Sequence, residues 1–384
     1  MSGSAHREVP EITLGVEEEL FLVDPDTRDL LAEPDPGILA ACESRRGPHK
    51  VVPEFLRAQL ETNTRVCGSV AEACEALREI RRVVIEAAEE HGAAVMAAST
   101  HPFAQWRTQL VTPKERYERF AATYQESFRR ICLTAMHVHA GFGDPESRIR
   151  VMTALRRHLP LFHALSTSSP FYGGGETGLK SWRLNLLGVL PRTSIPGPLR
   201  TRAEYDRIVE DYRRIEVIQD GSEVWWDIRP SHAHPTVELR ICDTCPRLED
   251  AASIIALYAS LIRWLARLDG EGRLPPEPPT EIIAENRWLA QRFGVLAFLG
   301  DMDLGGRVDI EDYAKELIEK LTPDARALAC EDEMRHVLTI IREGSSADRQ
   351  ADHFRLCRLD GDSREEAMRS VVDMVLAETR EGVF

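Results

Sequence analysis

The stretch ITLGVEEELFLVD (12–24) sets three consecutive glutamates, Glu17, Glu18 and Glu19, inside a run that is otherwise apolar and β-branched. Such a run reads as a strand with at least one buried face. Successive side chains of a strand point to opposite faces, so Glu17 and Glu19 share one face and Glu18 takes the other. Two carboxylates side by side repel each other: either one holds a proton or a cation lies between them. Hard divalent ions such as Mg²⁺ take oxygen ligands of this kind. For this segment alone, an edge strand that turns both acids to solvent is the simpler account, so the weight falls on what the rest of the chain adds.

Further strand-like segments add members of the same chemistry. VPEFLRAQLETNT supplies Glu54 and Glu61, and HVHAGF supplies His137 and His139 two residues apart. TVELRICD puts Glu238 and Arg240 on one face of a strand, and WWDIRP does the same for Asp227 and Arg229. Each alone fits a satisfied core histidine or an exposed ion pair. Together they describe a concave sheet face carrying Glu17, Glu19, Glu54, Glu61 and Glu238 with histidine and several arginines, which suits metal–phosphate chemistry. Asp227 has two roles open to it: orienting Arg229 as a buried pair, or chemistry.

Periodicity and caps place these segments in an α+β chain. A loose tail is expected over 1–8 and a strand over 12–24. Residues 49–66 are ambiguous, with a strand at their C-terminal end. A helix over 69–92 has a Ser N-cap, Glu72 three residues on and a Gly stop. A short strand (93–99), a helix with a Thr cap (112–132), a strand (134–143) and a helix with Pro145 in its first turn (144–167) follow. Residues 168–200 read as a long loop of the kind that shapes substrate choice. A helix (201–218), a strand pair (222–230 and 236–243) and an apolar helix (247–268), core by default, come next. After the Pro-rich 273–280, helices are expected over 280–293, 309–320, 323–343 and 362–380. The whole reads as a single catalytic domain, 12–268 carrying the site and 269–384 forming a helical extension packed on it.

Composition narrows the function. A formal net charge of −15 argues against general nucleic-acid binding, because phosphate repulsion must be overcome locally. An anion such as ATP still binds where metal ions or clustered Arg invert the local field. Eight irregularly spaced cysteines in a long chain fit a reducing cytoplasm better than a disulfide framework. MSGSAHREVPE has no apolar core of a signal peptide, and no apolar run reaches the ~20 residues that span a bilayer. YGGGETGLKS matches G-x-G-x-x-G at Gly173, Gly175 and Gly178 but lacks the flanking strand and helix of a nucleotide motif; it reads as a flexible substrate loop. CDTC (242–245) has no second Cys pair and reads as two thiols flanking a turn.

The pieces TLGVEEELF, STHPFAQW, ERYERF, HVHAGF, LSTSSPFYGG, SWRLNLL, WWDIRPS and TVELRICDT, with the Glu54-to-Glu61 segment, run in order from about residue 12 to 245. In these the chain resembles carboxylate–amine ligases of the glutamate–cysteine ligase type 2 family, of the YbdK-like kind. The resemblance implies a glutamine-synthetase-like fold: a curved, mainly antiparallel sheet forming a saddle, helices on its convex face and a helical C-terminal part. It implies one metal set of Glu17, His139 and Glu238, and a second of Glu19, Glu54 and Glu61. Glu54 is one methylene longer than the aspartate the family often has there. Arg240 resembles the arginine that contacts ATP phosphates and, with Glu238, is assigned to catalysis. Tyr117, Arg183 and Arg229 are expected at the substrate. ATP and Mg²⁺ (or Mn²⁺) are the implied cofactors, and amino-acid-like carboxylates and amines the substrates. No nucleic-acid or membrane partner is expected, and the family implies a homodimer.

The implied reaction activates a carboxylate as an acyl phosphate at the cost of ATP and passes the acyl group to an amine, with weak glutamate–cysteine ligase activity. Two alternatives share the same carboxylate face: a metal-dependent amide hydrolase that needs no ATP, and a non-catalytic protein that binds ATP or amino acids.

Overall fold

The structure, a computed structural model, describes residues 10–301, 303 and 305–384; the tail expected over 1–8 lies outside the described residues. Its centre is β1 (Thr13–Val23), the long strand that contains the three glutamates. The chain then runs through α1 (Gly37–Arg45), β2 (Lys50–Pro53), β3 (Gln59–Asn63), α2 (Val70–Glu90), β4 (Ala94–Met96), α3 (Glu115–Arg129), β5 (Met136–Gly141), α4 (Pro145–Leu155) and α5 (Leu159–Ser166). Small elements follow: β6 (Phe171–Tyr172), β7 (Gly175–Glu176), α6 (Arg183–Leu187), β8 (Thr193–Ser194), α7 (Arg202–Arg214) and β9 (Trp225–Trp226). The sheet is completed by β10 (Ile228–Pro230) and β11 (Thr236–Leu239). Its order is β10-β11-β5-β1-β3-β2, with β4 also on β1, and every pairing is antiparallel.

The strict alternation of β1 is realised. Leu14, Val16 and Leu20 pack under α2 and α8 (Leu248–Gly270), while Gly15, Glu17 and Glu19 look to the other side. Glu18 lies on the packed side and is fully buried. It is satisfied by Arg81 of α2, whose Nε and Nη2 both donate to its carboxylate; Nη2 and Nη1 also donate to the carbonyls of Cys245 and Pro246. One buried guanidinium thus ties sheet, helix and the segment after β11 together. At the far end of β1, Phe21 and Val23 join a second core under α3 and α13 (Arg364–Arg380), which closes that end of the glutamate face. Helices therefore cover the convex side and also one end of the other.

The C-terminal part contains α9 (Thr280–Phe293), β12 (Phe298–Asp301), β13 (Gly306–Asp309), α10 (Ile310–Ala327), α11 (Glu331–Glu343) and α12 (Ser346–Asp360) ahead of α13. The β12–β13 hairpin and α12 depart from the expected helix pattern. The polar SADRQADHFRLCRLD of α12 buries only a narrow stripe, chiefly Ala347, Gln350, Ala351 and Phe354, too thin to stand out as a period. The expected break at Pro323 is absent: Leu317, Ile318, Leu321 and Ala325 bury one continuous face across it, and α10 ends instead near Ala329, at φ 51. Residues 144–167 divide into α4 and α5, because Pro160 has no N–H and its ring opposes the carbonyl of Arg156. The helix expected from Thr112 starts at Glu115, since Pro113 keeps Thr112 out of the helical region.

Two further expectations change. Residues 168–200 are not one flexible loop: Gly173 and Gly174, at φ 59 and 81, form the tight turn of the β6–β7 hairpin, a turn type that needs positive φ at both positions. Arg364 Nε donates to Gly174 O at 2.9 Å and pins that turn. Also, α8 is long and apolar enough to cross a membrane, yet 78% of its apolar window is buried inside this fold, where it packs on α2, α4, α10 and α11 as the central core helix. All eight cysteines, including Cys242 and Cys245, are free thiols.

Removing one partner of a buried ion pair costs about 3–5 kcal/mol, because the other charge is left uncompensated. Arg81→Leu is therefore expected to lower unfolding stability by about that amount, and Arg81→Leu with Glu18→Leu to regain much of it. Urea unfolding monitored by circular dichroism reads both; an unchanged midpoint in Arg81→Leu would show that the pair holds nothing together.

Candidate active site

Strand register assembles the site. Glu17 lies opposite His137 of β5 and Asn63 of β3, and Glu19 opposite Glu61 of β3. His139 faces Glu238 of β11, which in turn faces Arg229 of β10. The single-face alternation read in each strand becomes one patch running across the sheet. Above it opens a cavity of about 360 Å³. Its floor holds Glu17, Glu19, Glu54, Glu61, His137, Arg229 and Arg240; its wall is apolar, with Phe55, Phe120, Phe128 and Trp225 prominent.

Glu17 is the hub. Its carboxylate lies 3.2 Å from His137 Nδ1 and 3.3 Å from His139 Nε2. Burial alone would raise the Glu17 carboxyl, but its contacts with the two imidazoles outweigh that and hold it well below the usual range. His139 keeps its other nitrogen, Nδ1, 2.8 Å from Thr236 Oγ1, which aims Nε2 at Glu17. Burial and Arg240 push His137 down to about 4. Across the cavity the order is reversed. Burial, reinforced by Glu54 and Glu61, raises the Glu19 carboxyl well above its ordinary value. Burial, with Glu17 and Glu54, pushes Glu61 up to about 8.

Glu238 is fully engaged. Arg229 Nε and Nη2 donate to it at 2.8 and 3.1 Å, and Arg240 Nη1 donates to the same carboxylate. Burial opposes its charge, but these two arginines hold its carboxyl well below the ordinary range. Arg229 also donates to the carbonyls of Ser222 and Val224 at 2.9 and 2.7 Å, so it is committed to the protein. Among the described residues, the Arg240 side chain donates through Nη1 alone, and Arg240 lines the cavity.

The other expected residues are here too. Tyr117 lines the cavity and donates its hydroxyl to Glu54 at 3.0 Å. Arg183 lines it as well, but its guanidinium donates to the carbonyls of Arg240 and Cys242 and pairs with Asp243. Of the long 168–200 segment, Arg183, Leu187 and Leu190 reach the cavity, whereas the Gly-rich turn does not. Asp227 does not pair with Arg229: Arg287 of α9 donates to it at 2.6 Å. Sequence reasoning missed Arg287, and also Lys114 and Arg116 at the cavity mouth. The last two sit immediately before and within the ERYERF segment, the one signal that could have found them.

The donor set fits a divalent ion. Among the described residues, ligand atoms of Glu17, His137 and Glu238 lie within 4.8 Å of one another. His139, expected in that set, stands beside it, its buried Nε2 3.3 Å from the Glu17 carboxylate but outside hydrogen-bond geometry. Glu19, Glu54 and Glu61 form a second carboxylate group whose mutual repulsion a cation would relieve. Carboxylate oxygens with imidazole suit Mg²⁺ or Mn²⁺, the nitrogens favouring Mn²⁺.

The Glu61 carboxyl, held near 8 in the fold against an ordinary 4.5, contributes full stability below about pH 4.5 and loses it as pH rises through 8. Glu19 acts in the same direction. A cation that replaces the proton reverses the loss, so binding strengthens as pH rises and releases protons. Calorimetric titration with MnCl₂ at pH 7, in two buffers of different ionisation enthalpy, is expected to show proton release that falls in Glu61→Gln. Identical heats in both buffers would remove Glu19 and Glu61 from the cation site.

With this geometry in place, known proteins give an independent view. The family pattern of "Glutamate-cysteine ligase family 2" matches residues 13–374. A Rhodospirillum rubrum protein provisionally named glutamate–cysteine ligase 2 is 44% identical over 373 residues, covering 96% of each chain. A Jannaschia protein of the same provisional name is 43% identical over 364 residues, covering 95% of this chain and 96% of its own. Among solved structures, the glutamate–cysteine ligase of Francisella tularensis in complex with AMP superposes with a TM-score of 0.66 at 14% identity, over 97% of this chain and 89% of that one. A bifunctional glutathione synthetase from Pasteurella multocida gives 0.69 at 13% identity, over 97% of this chain and 53% of its own. At such identities these two speak for the fold alone, which is glutamine-synthetase-like.

Proposed function

The chain belongs to glutamate–cysteine ligase family 2 and is an ATP-dependent carbon–nitrogen ligase, and we propose that it joins a carboxylate to an amine through an acyl phosphate formed on the face of β1, β3, β5 and β11. The observation that carries this reading is the row of carboxylates and imidazoles on four strands, met at its edge by the partly uncommitted guanidinium of Arg240.

The first step brings two anions together: a carboxylate oxygen attacks the γ-phosphorus of ATP, and ADP leaves. The amine nitrogen then attacks the acyl carbon, loses a proton, and phosphate leaves as the amide forms. Little covalent chemistry falls to the protein, whose part is positioning and charge. Arg240 meets the transferring phosphoryl group, and Glu238 orients it. Arg229 holds Glu238 and thereby the edge of the site. Mg²⁺, held by Glu17, His139 and Glu238 and by Glu19, Glu54 and Glu61, would neutralise phosphate oxygens. His137, in contact with Glu17, shares the first group. Tyr117 orients Glu54. The names of the relatives make glutamate and cysteine the first pair to offer it, and the apolar wall beside the acids leaves room for other amines.

The deciding assay follows ADP and phosphate release with Mg²⁺ and ATP across a panel of carboxylates and amines, with mass spectrometry of the products. Release that requires both partners and yields a new amide mass is expected. With an ¹⁸O-labelled carboxylate, one label should appear in the phosphate; its absence would rule out the acyl phosphate. Hydrolysis of an amide without ATP would favour a hydrolase instead. Glu17→Ala and Glu238→Ala are expected to abolish ATP turnover with the fold retained, and Arg240→Met to lower kcat about 10²–10³-fold. Full activity in either glutamate variant would sink the metal assignment.

A further inference from the structure

Asp243 is a fully buried carboxylate that does not line the cavity. Its acceptors are saturated: Ser168 N and Ser169 Oγ donate to Oδ2 at 3.0 and 2.7 Å, and Ser181 Oγ donates to Oδ1 at 2.9 Å. Arg183 Nε lies 3.2 Å from Oδ1 as an ion pair, outside hydrogen-bond geometry. The outer end of the same guanidinium donates to the carbonyl of Arg240 at 2.6 Å and of Cys242 at 2.8 Å. On its other side the N–H of Arg240 donates to the carbonyl of Asp227 at 2.8 Å, and the Asp227 carboxylate is gripped by Arg287. Arg240 lies one residue past the end of β11, so these contacts, rather than a full ladder, determine where its side chain begins.

Buried carboxylates persist where their contacts fix a geometry, and the ion pair with Asp243 holds the inner end of the Arg183 guanidinium while Nη2 reaches the two carbonyls. We propose that Asp243 is a positioning residue: through Arg183 it clamps the main chain of Arg240 and so aims that guanidinium at the phosphates of ATP. The inference rests on the phosphate role of Arg240 given above. It also gives the LSTSS and SWR segments a purpose, since Ser168, Ser169, Ser181 and Arg183 converge on one carboxylate.

A double-mutant cycle tests it, using the full chain and the non-hydrolysable β,γ-imido analogue of ATP with Mg²⁺. Affinity is measured by calorimetry, so no acceptor substrate is needed. Arg240→Met is expected to weaken binding about 10–100-fold, and Asp243→Asn about tenfold, the scale of losing one charged contact. If Asp243 acts through Arg240, the double variant binds no more weakly than Arg240→Met. A purely structural carboxylate would instead give weakening equal to the product of the two single effects, and that result overturns the inference. So does wild-type affinity in Asp243→Asn when Arg240→Met is weakened. Wild-type affinity in Arg240→Met itself would overturn the phosphate role on which the inference rests. Should Asp243→Asn lose its native circular dichroism, Ser181→Ala and Arg183→Lys enter the same cycle, with the same non-additivity expected.

Discussion

The buried pair of Glu18 and Arg81 determines which way β1 faces. In a strand a slip of one residue exchanges the two faces completely. Here that slip would bring Glu17 and Glu19 into the core under α2 and send Glu18 to the cavity. Only one register gives a core glutamate a guanidinium, and Arg81 supplies it while also binding the carbonyls of Cys245 and Pro246. The same pair therefore sets the register of the central strand and holds the segment after β11 against α2. Everything on the glutamate face inherits its position from that arrangement.

The face so presented is electrostatically divided. On the β5–β11 side, histidines and arginines keep Glu17 and Glu238 charged. On the β1–β3 side, Glu19 and Glu61 are pushed toward protonation by burial and by neighbouring carboxylates, Glu54 among them. A protein selected for stability alone would have removed such repulsion. Its retention at the bottom of a cavity is the pattern of a site that trades stability for the binding of cations and a polyphosphate. The apolar wall opposite lowers the local dielectric and strengthens each of these interactions.

The C-terminal helices are more than a cover. Arg287 of α9 reaches Asp227, and the carbonyl of Gln291 accepts from the N–H groups of Lys180 and Ser181. Gln350 of α12 donates to Ser168 O at 3.0 Å. These contacts brace the Ser168–Arg183 segment, whose side chains meet at Asp243. The path from the extension to Arg240 thus runs through buried groups joined by hydrogen bonds and, between Asp243 and Arg183, by an ion pair.

Local pattern determined a good deal: the opposite faces of Glu17 and Glu18, the pairing of acid and Arg on 236–243, and the Ser69 cap of α2. These depend on a period of two or on side chains a few residues apart, which a sequence carries directly. Tertiary structure alone decided the partners. It gave Glu18 to Arg81, gave Asp227 to Arg287 instead of Arg229, committed Arg183 and Arg229 to the protein, and left part of Arg240 free. It also turned the glycine-rich stretch into a pinned hairpin and carried α10 through Pro323. The physical reason is that a charge takes whichever counter-charge burial brings within reach, and a helix continues wherever its apolar face stays covered. Both depend on which distant elements pack together, and no local period records that.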